Sequence, residues 1–402
     1  MALIVQKFGG SSVADAQRIF HVAEIITKTY QQGNSVCVVL SAQGDTTDDL
    51  IEKAREINPD ASRREMDMLL SCGEQMSIAL MAMAIEKLGF PVVSLCAWQI
   101  GMATDSNHSA AHITKVDCER VKEELDRKRI VLVAGFQGVD RTGDITTLGR
   151  GGSDTTAVAL AVALQADLCQ IYTDVDGVYT SDPRIVPEAR KLSEITYDEM
   201  LELASMGAQV LHNRSVELAK SYGVQLEVLS SFTGNPGTIV KEVVKKVEKT
   251  SITGVAKDKK IARFALVGLE DVPGVAYKLF NLLAKDKINV DMIIQSLGHD
   301  ERKDIIFTVA DKDSMACARL LDENKDVLKY DHMDINTGVS KVSIVGAGML
   351  ENAGVAAKMF EALYQAHINI HMISTSEIKV SVLIDKEDSD RAVRVIHNIF
   401  FQ

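Results

Sequence analysis

The sequence has little cysteine, proline or tryptophan, and these shortages exclude several classes of protein. Its 402 residues include six cysteines, six prolines and one tryptophan. No two cysteines have the Cys-x-x-Cys spacing typical of zinc or redox sites, and nothing suggests a disulfide framework. We therefore expect buried, reduced thiols in a cytoplasmic protein. The cysteines are Cys37, Cys72, Cys96, Cys118, Cys169 and Cys317.

Long hydrophobic runs and excess positive charge are also missing. The longest apolar run, 156–164, is far short of the roughly 20 residues that span a bilayer. The first apolar run is interrupted by Lys7 and has no small-residue cleavage site, so we expect no signal peptide and no membrane. The net charge of −12 disfavours nucleic acid as a partner, because phosphate backbones attract basic surfaces.

Strand-like and helix-like segments alternate over the first 240 residues. Helices are predicted at 15–30, 63–88, 115–128 and 155–165, and strands at 35–40, 91–96, 130–134 and 168–172. This alternation predicts an α/β fold with an open, mostly parallel sheet sandwiched by helices. Ligands of such sheets bind on the loops at the carboxyl ends of the strands.

An internal repeat follows the charged stretch 240–250. GVAYKLF at 274–280 matches GVAAKMF at 354–360, and INVDMI at 288–293 matches INIHMI at 368–373. Each copy has a ferredoxin-like βαββαβ pattern. The first copy can close with the strand 327–336, whereas the second ends in the helix 389–401. We therefore predict that a strand at 252–256 completes the second copy, and that the first copy is inserted in the second.

Residues 6–12, QKFGGSS, place a lysine and two glycines where a strand leads into a helix. The Gly-x-x-x-x-Gly-Lys order of a P-loop is absent, so this stretch alone fits either a phosphate site or a tight turn.

The second glycine-rich motif, TLGRGGSDTT at 147–156, opens an apolar helix. Glycines and a helix N-terminus favour an anion site, to which Arg150 can donate a forked pair of hydrogen bonds. An ordinary turn capped by Ser153 or Asp154 is the alternative, and the hydrolase motif Gly-x-Ser-x-Gly is absent.

The third motif, TDVDGVYTSDPR at 173–184, follows the strand 168–172 and suits a nucleotide. Tyr179 offers a surface for the base and Arg184 a charge for phosphates, while Asp174 or Asp182 would lie near magnesium. An EF-hand fails because Ile185 stands at its twelfth position, and a polar loop remains the alternative.

Glu74 lies among apolar residues of a predicted helix, where its carboxylate could hold an ammonium group or simply be a surface charge. His108 and His112 have helical spacing but lack a third ligand, so we expect no zinc there.

The three motifs and the repeated tail together resemble the aspartate kinases, members of the amino acid kinase family with tandem C-terminal ACT domains. The resemblance covers nearly the whole chain and implies three domains: a catalytic domain at 1–245, a first ACT domain at 261–337, and a second at 250–258 plus 338–402. It implies ATP- and Mg²⁺-dependent phosphorylation of the β-carboxylate of L-aspartate, which begins lysine, threonine and methionine synthesis.

The resemblance also implies roles for individual residues. Lys7 and Asp154 would be catalytic. The substrate would contact Ser41, Thr47, Glu74, Arg150, Gly151, Gly152 and Ser153. ATP would contact Lys7, Phe8, Gly9, Gly10, Thr173, Asp174, Tyr179, Asp182, Arg184 and Gln209. Many relatives have lysine at the position of Gln209 and proline at that of Asn213, which puts one nucleotide contact in doubt.

Feedback control is implied by the tail. An effector amino acid, lysine with or without threonine, would bind at ACT domains that pair into a homodimer or higher oligomer. The implied contacts are Asp271, Gly274, Val275, Asn289, Asp291, Gly354, Val355, Asn369, Ile370, Ser376 and Glu377. One copy serving only for dimerisation is the alternative.

Two other functions stay open at this point. One is another amino acid kinase, of the glutamate or acetylglutamate type. Arg150 with Glu74 argues for a free amino acid, because an acetylated amine has no charge for Glu74. The other is a non-catalytic sensor, against which Lys7, Arg150, Asp154 and Asp174 argue.

Overall fold

The computed structural model describes residues 2–205, 210–244, 252–297, 302–347, 349 and 354–402. The described chain forms two compact units. Unit 1 comprises Met1–Tyr179 and Arg190–Lys246, and unit 2 comprises Thr180–Ala189 and Val247–Gln402. The ten-residue segment Thr180–Ala189 thus belongs to the same unit as the C-terminal part of the chain.

Unit 1 is an α/β fold, as predicted. Its helices are α1 (Ala16–Gln31), α2 (Thr46–Ile57), α3 (Arg63–Lys87), α4 (Glu119–Asp126), α5 (Gly152–Leu164), α6 (Tyr197–Leu203) and α7 (Asn213–Tyr222). Its strands are β1 (Leu3–Phe8), β2 (Ser35–Leu40), β3 (Val92–Leu95), β4 (Met102–Thr104), β5 (Ile113–Val116), β6 (Ile130–Ala134), β7 (Gln137–Val139), β8 (Ile145–Thr147), β9 (Leu168–Thr173), β10 (Glu194–Thr196), β11 (Leu226–Ser230) and β12 (Thr238–Lys241).

The main sheet of unit 1 has eight strands in the order β10-β12-β11-β9-β1-β2-β6-β3. All neighbouring pairs are parallel except β11 with β12. β1 lies between β9 and β2, so the loops that follow these three strands share one edge of the sheet. A second sheet has the order β5-β4-β7-β8. The strands β2 and β6 are almost wholly buried, as their unbroken apolar runs indicate.

Helix α3 is, among the described residues, the one helix long and apolar enough to cross a membrane. Half of its most apolar window is buried, and the helix packs against α1, β6 and β8. Length and apolar composition are also typical of a core helix in a globular domain, which is the role that these contacts indicate.

One predicted helix of unit 1 is shorter in the structure, and one helix was missed. The predicted helix 115–128 begins only at Glu119, because Ile113–Val116 forms β5 against β4. Helix α2 was not predicted, since no residue of its polar sequence is fully buried. All six cysteines are unpaired, and five are buried as expected, whereas Cys72 is exposed.

Unit 2 contains the two copies of the repeat. The first consists of β14 (Ile261–Glu270), α8 (Val275–Lys285), β15 (Val290–Leu297), β16 (Arg302–Ala310), α9 (Ser314–Glu323), α10 (Lys325–Leu328) and β17 (His332–Asn336). The second consists of β18 (Val339–Val345), α11 (Val355–Gln365), β19 (Met372–Thr375), β20 (Lys379–Asp385) and α12 (Ser389–Phe401). Before both comes β13 (Gly254–Asp258). The predicted strand 327–336 begins only at His332, because Lys325–Leu328 forms α10.

The strand orders of the copies are β15-β16-β14-β17 and β13-β18-β20-β19. β13 pairs antiparallel with β18, from Gly254 with Val345 to Asp258 with Lys341. It occupies the edge position that β17 occupies beside β14 in the first copy. A strand from before the first copy therefore joins the sheet of the second, which is the pairing that insertion of one copy in the other requires.

Candidate active site

Lys7 and Asp154 come together at the end of β1. The Nζ of Lys7 lies 2.7 Å from Oδ1 of Asp154, and each side chain is 13% exposed. Lys7 is the penultimate residue of β1, and Asp154 is in the first turn of α5. The fold thus brings together two motifs that are 147 residues apart in the chain. The pair leaves a cation accessible at the edge of the sheet where ligands of this fold class bind.

The two glycines after Lys7 permit close backbone contact. A Cβ on Gly10 would lie 2.5 Å from the carbonyl oxygen of Ala42, so only glycine fits there. The amide of Gly44 donates to the carbonyl of Gly10 at 3.1 Å, and the amide of Ser41 donates to Phe8 at 3.2 Å. The loops after β1 and β2 are therefore joined, and this places Ser41 beside the glycine turn.

Phe8 contributes to the core. Its side chain is fully buried and stacks on Tyr172, with ring centroids 4.4 Å apart. Only the backbone of Phe8 can therefore face a ligand. Thr47, in contrast, is half-buried in the first turn of α2.

Glu74 is buried on α3 and is 3% exposed. One carboxylate oxygen accepts a hydrogen bond from the amide of Ala42 at 3.1 Å, and the other has no hydrogen-bond partner among the described residues. Burial raises the pKa of Glu74 from 4.5 to about 7, while the amide hydrogen bond opposes that rise. The interpretation of Glu74 as a surface charge is therefore wrong. A buried carboxylate oxygen without a donor is suited to a cationic group of a ligand.

Residues 148–151 connect β8 to α5 and are called the Arg150 loop. Its glycines determine its shape. Gly149 and Gly151 have φ values of +76° and +69°, and Gly151 is the N-cap of α5. No side chain caps this helix, so the predicted alternative of a cap by Ser153 or Asp154 is wrong. A Cβ on Gly151 would lie 2.2 Å from the ring of His212. The uncapped helix N-terminus leaves amide groups available to an anion, and Arg150 is exposed beside them.

Gly152 and Ser153 lie close to residues 135–136, which follow strand β6. A Cβ on Gly152 would lie 2.8 Å from the ring of Phe136, and the buried Ser153 hydroxyl packs against Gly135. These close contacts explain why the motif needs a glycine at position 152.

Two residues that sequence reasoning missed hold the Arg150 loop in place. Asp67, on α3, is fully buried and accepts hydrogen bonds from the amides and hydroxyls of Ser109 and Thr147. Arg214, on α7, donates to the carbonyls of Leu148 at 3.0 Å and Ala111 at 2.8 Å. Nothing in the sequence distinguishes Arg214 from a surface arginine, because its partners are backbone atoms distant in the chain. The available signal for Asp67 was an aspartate flanked by Met66 and Met68 at the start of an apolar run.

The nucleotide stretch begins in unit 1 with Thr173 and Asp174. The hydroxyl of Thr173, the last residue of β9, donates to the exposed carboxylate of Asp174 at 3.0 Å. The hydroxyl of Tyr179 donates to Asp176 at 2.7 Å, which raises the pKa of Tyr179. Asp176 was not predicted, yet it also accepts hydrogen bonds from Asn235 and Lys191 and organises this loop.

Asp182 and Arg184 lie in the segment Thr180–Ala189, which packs with unit 2. The guanidinium of Arg184 donates to both carboxylate oxygens of Asp182, at 3.0 Å and 2.7 Å, and this lowers the pKa of Asp182. Gln209 lies outside the described residues. The nearby Asn213 donates to the hydroxyl of Ser205 at 2.7 Å.

Among the described residues, one histidine and two carboxylates of unit 1 form a cluster with metal-like spacing. His108, Asp140 and Asp144 lie together, but His108 hydrogen-bonds Asp67 at 3.0 Å and Asp144 pairs with Arg64. His112, which has helical spacing from His108 in the sequence, lies outside this cluster and hydrogen-bonds Asp105. These groups already have protein partners, so we assign no metal to them.

Three predicted effector residues of the first copy, Asp271, Gly274 and Val275, border a cavity of about 430 Å³. It is lined by Asp271, Val272, Pro273, Gly274, Val275, Ala276, Gln295 and Lys303. Asp271 pairs with Lys303, so the cavity carries both charges that a zwitterion needs. Gln295 and Lys303 were not predicted, because they come from strands β15 and β16, away from the loop motif.

The remaining effector candidates have different surroundings. Asn289 is exposed, and Asp291 pairs with the buried Lys341 of β18. Gly354, like Gly274, is a helix N-cap with a φ of +96°, and Val355 opens α11. Asn369 and Ile370 precede β19, and Ser376 and Glu377 form the exposed turn between β19 and β20.

Comparison with known proteins identifies the family. Residues 2–230 match the amino acid kinase family, and residues 264–324 and 342–400 match the ACT domain. An aspartokinase of Bacillus sp. (strain MGA3) is 48% identical over 400 residues, which are 100% of this chain and 97% of the relative. An aspartokinase of Mycolicibacterium smegmatis is 50% identical over 405 residues, covering 100% of this chain and 96% of the relative.

A solved structure supports the same assignment. E. coli aspartokinase III in complex with aspartate and ADP has a TM-score of 0.84 and 26% identity, with 100% of each chain covered. Full-length identity near one half, together with the order of the matched domains, leads to one conclusion. This chain belongs to the amino acid kinase family, and within it to the aspartokinases, which carry C-terminal ACT domains.

Proposed function

We propose that the protein transfers the γ-phosphoryl group of ATP to the β-carboxylate of L-aspartate, giving 4-phospho-L-aspartate. This is the first step towards lysine, threonine and methionine. The observation that carries the proposal is the Lys7–Asp154 pair beside a glycine turn and an uncapped helix N-terminus. Relatives named as aspartokinases, and one solved with aspartate and ADP, agree with it.

Substrate recognition would use opposite charges at two ends. Arg150 would hold the α-carboxylate with its planar fork of donors, next to the turn formed by Gly151 and Gly152. Glu74 would hold the α-ammonium, and the ligand's charge would keep Glu74 ionised. Ser41, Thr47 and Ser153 would complete the substrate contacts.

The chemistry needs no general base, because the β-carboxylate is ionised at neutral pH. Catalysis would rest on positioning and on neutralising charge at the transferred phosphoryl group. Lys7 supplies a positive charge held by Asp154, and the amides of Gly9 and Gly10 can approach phosphate oxygens.

ATP would contact Thr173, Asp174, Tyr179, Asp182, Arg184 and Gln209, and the backbone at Phe8. The exposed carboxylate of Asp174 offers the oxygen ligands that Mg²⁺ prefers, and Asp182 is a second candidate. Mg²⁺ bound with ATP would neutralise phosphate charge.

The protein would be regulated by an amino acid bound in the Asp271–Lys303 cavity. Lysine, alone or with threonine, fits a cavity that carries a carboxylate and an ammonium group. We propose domain boundaries of 1–245 for the catalytic domain, 261–337 for the first ACT domain, and 250–258 plus 338–402 for the second. A cytoplasmic homodimer or higher oligomer formed through the ACT domains completes the proposal.

The test is magnesium-dependent ADP release with aspartate and with glutamate, repeated with lysine, threonine and both. Release with aspartate that the effectors suppress is expected. Release with glutamate alone would indicate a different amino acid kinase. Release with neither substrate would indicate a non-catalytic amino-acid sensor.

A further inference from the structure

The ten-residue segment Thr180–Ala189 contains residues proposed to bind ATP, and it belongs to unit 2. It begins directly after Tyr179 and contains Asp182 and Arg184, to which the proposed function gives a role in binding ATP. Its contacts are those of unit 2. The placement of these two residues is therefore decided by what holds this segment within the C-terminal unit.

One end of the segment is held by apolar packing. Val186 is 1% exposed and lies in a core cluster with Ile252, Val255 and Ile396. The amides of Ile185 and Val186 both donate to the carbonyl of Asp182 at 2.9 Å, which closes the turn. The side-chain fork between Asp182 and Arg184 is built on this turn.

The other end of the segment is held by hydrogen bonds to Thr180. The amide of Val255, on β13, donates to the carbonyl of Thr180 at 2.8 Å. The hydroxyl of Thr180 lies 2.9 Å from Nε2 of His397, on α12. Thr180 and His397 are 3% and 1% exposed.

His397 occupies a position where an apolar residue would complete the helix face. Its neighbours Ala392, Val393 and Ile396 are buried on α12, and its ring stacks on Phe401 with centroids 4.6 Å apart. A polar ring at such a site is costly unless it is hydrogen-bonded, and the bond to Thr180 satisfies its Nε2 atom. Because water is excluded there, the bond fixes the position and rotamer of Thr180.

We propose that His397 is a positioning residue for nucleotide binding, acting through Thr180 to fix the turn that carries Asp182 and Arg184. The inference rests on the proposed function, since it assigns this turn to ATP. It makes one residue of α12, more than two hundred positions away in the chain, part of the support of the nucleotide site.

The experiment compares variants that remove the bond with variants that keep it. Thr180→Val and His397→Phe retain volume but lose the hydrogen bond, whereas Thr180→Ser and His397→Gln retain a polar group. Ser343→Ala is the matched control, because it removes a bond of 2.7 Å between the buried hydroxyls of Ser343 and Ser381 on the sheet of the same copy. The measurements are KM for ATP, KM for aspartate, kcat, and the Kd of Mg–ADP, on full-length protein checked for folding by circular dichroism.

Thr180→Val and His397→Phe are each expected to raise KM for ATP and Kd for Mg–ADP by about threefold to tenfold, the effect of one hydrogen bond. KM for aspartate should stay within about twofold of the wild-type value. The variants displace residues that contact ATP, and they leave the contacts with aspartate unchanged. The Ser, Gln and Ser343→Ala variants should resemble the wild type. The double variant should be no worse than the worse single variant, because both changes remove the same bond.

Two results would overturn the proposal. One is folded Thr180→Val protein with unchanged Mg–ADP affinity. The other is an equal loss of nucleotide affinity in Ser343→Ala, which would make the effect one of general stability. If wild-type protein binds Mg–ADP but phosphorylates neither aspartate nor glutamate, the proposed function fails, and the Kd comparison still decides the role of His397.

Discussion

Glu74 combines a buried position with a charge that its surroundings do not fully neutralise. Its raised pKa, about 7 against 4.5 in the unfolded chain, means that the folded protein binds more protons in this window. The stability of the unliganded protein should therefore fall as pH rises from about 4.5 to about 7. Such a group is typical of a binding site, where function and stability make opposing demands.

Glu74→Gln should increase the stability of the unliganded protein and weaken the binding of aspartate. The neutral amide should make the unliganded protein more stable than the wild type at pH 8, by about 1–3 kcal/mol, with little difference at pH 4.5. The KM for aspartate should rise at least about tenfold, because the α-ammonium loses its counter-charge. Urea unfolding at both pH values and steady-state kinetics measure the two effects.

The control for this prediction is Glu86→Gln, an exposed residue of the same helix, which should change neither quantity. In the wild type, kcat/KM for aspartate should fall as pH decreases through about 7. A stability difference independent of pH would contradict the assigned role of Glu74.

Lys7 is the residue on which turnover should depend most. Lys7→Ala should reduce kcat by at least about a thousandfold, because no other charge replaces it at the transferred phosphoryl group. Effector binding, measured by calorimetry, should remain. Lys28→Ala, an exposed lysine of α1, should keep full activity. Near-normal turnover of Lys7→Ala would contradict the phosphate-site interpretation of residues 6–12 and favour a tight turn without a catalytic role.

At the scale of elements, the Arg150 loop depends on helices α3 and α7, which do not contain it. Asp67 binds one side of the loop from α3, and Arg214 binds two carbonyls from α7. The glycines allow the turn, but Asp67 and Arg214 fix the position of the loop that carries Arg150. Backbone carbonyls held by a guanidinium fork keep both position and orientation.

Arg214→Ala should therefore raise KM for aspartate by about tenfold, because the Arg150 loop loses both anchors. Arg214→Lys should be intermediate, since one ammonium cannot reproduce the two-carbonyl fork. Arg141→Ala, at an exposed position of unit 1, is the control. Steady-state kinetics with varied aspartate make the comparison, and equal KM values for Arg214→Ala and the wild type would remove the role.

At the scale of the whole molecule, the chain separates a unit with the catalytic motifs from a unit with the repeat. The second unit contains a charged cavity in its first copy, and a segment of the nucleotide stretch belongs to it. The substrate site and the effector cavity that we propose are thus distinct sites, as allosteric control requires.

Asp271→Ala should weaken inhibition by the effector amino acid by at least about tenfold, because the cavity loses the carboxylate that would face an ammonium group. The concentration of lysine, or of lysine with threonine, that halves activity is the measurement. Asp326→Ala, an exposed acid on α10, should keep the sensitivity of the wild type. Unchanged inhibition of Asp271→Ala would place the effector elsewhere.

The sequence by itself determined the elements and motifs that depend on local chemistry. The buried strands β2 and β6 follow from unbroken apolar runs, and the repeat predicted both copies and the strand that completes the second. The three motifs and the tail led to the family, which the matches over the full chain confirm. Gly10 and Gly151 are glycines for reasons that their motifs already implied.

Only the tertiary structure decided what depends on contacts between distant residues. It made Glu74 a buried carboxylate, assigned Asp67 and Arg214 to the support of the Arg150 loop, and gave Gln295 and Lys303 to the cavity. It placed Thr180–Ala189 in the C-terminal unit, although its neighbours in sequence lie in the other. These features arise from packing: the burial of side chains, the pKa shift of Glu74, and the bond between His397 and Thr180. Local sequence patterns do not determine which distant side chains come into contact.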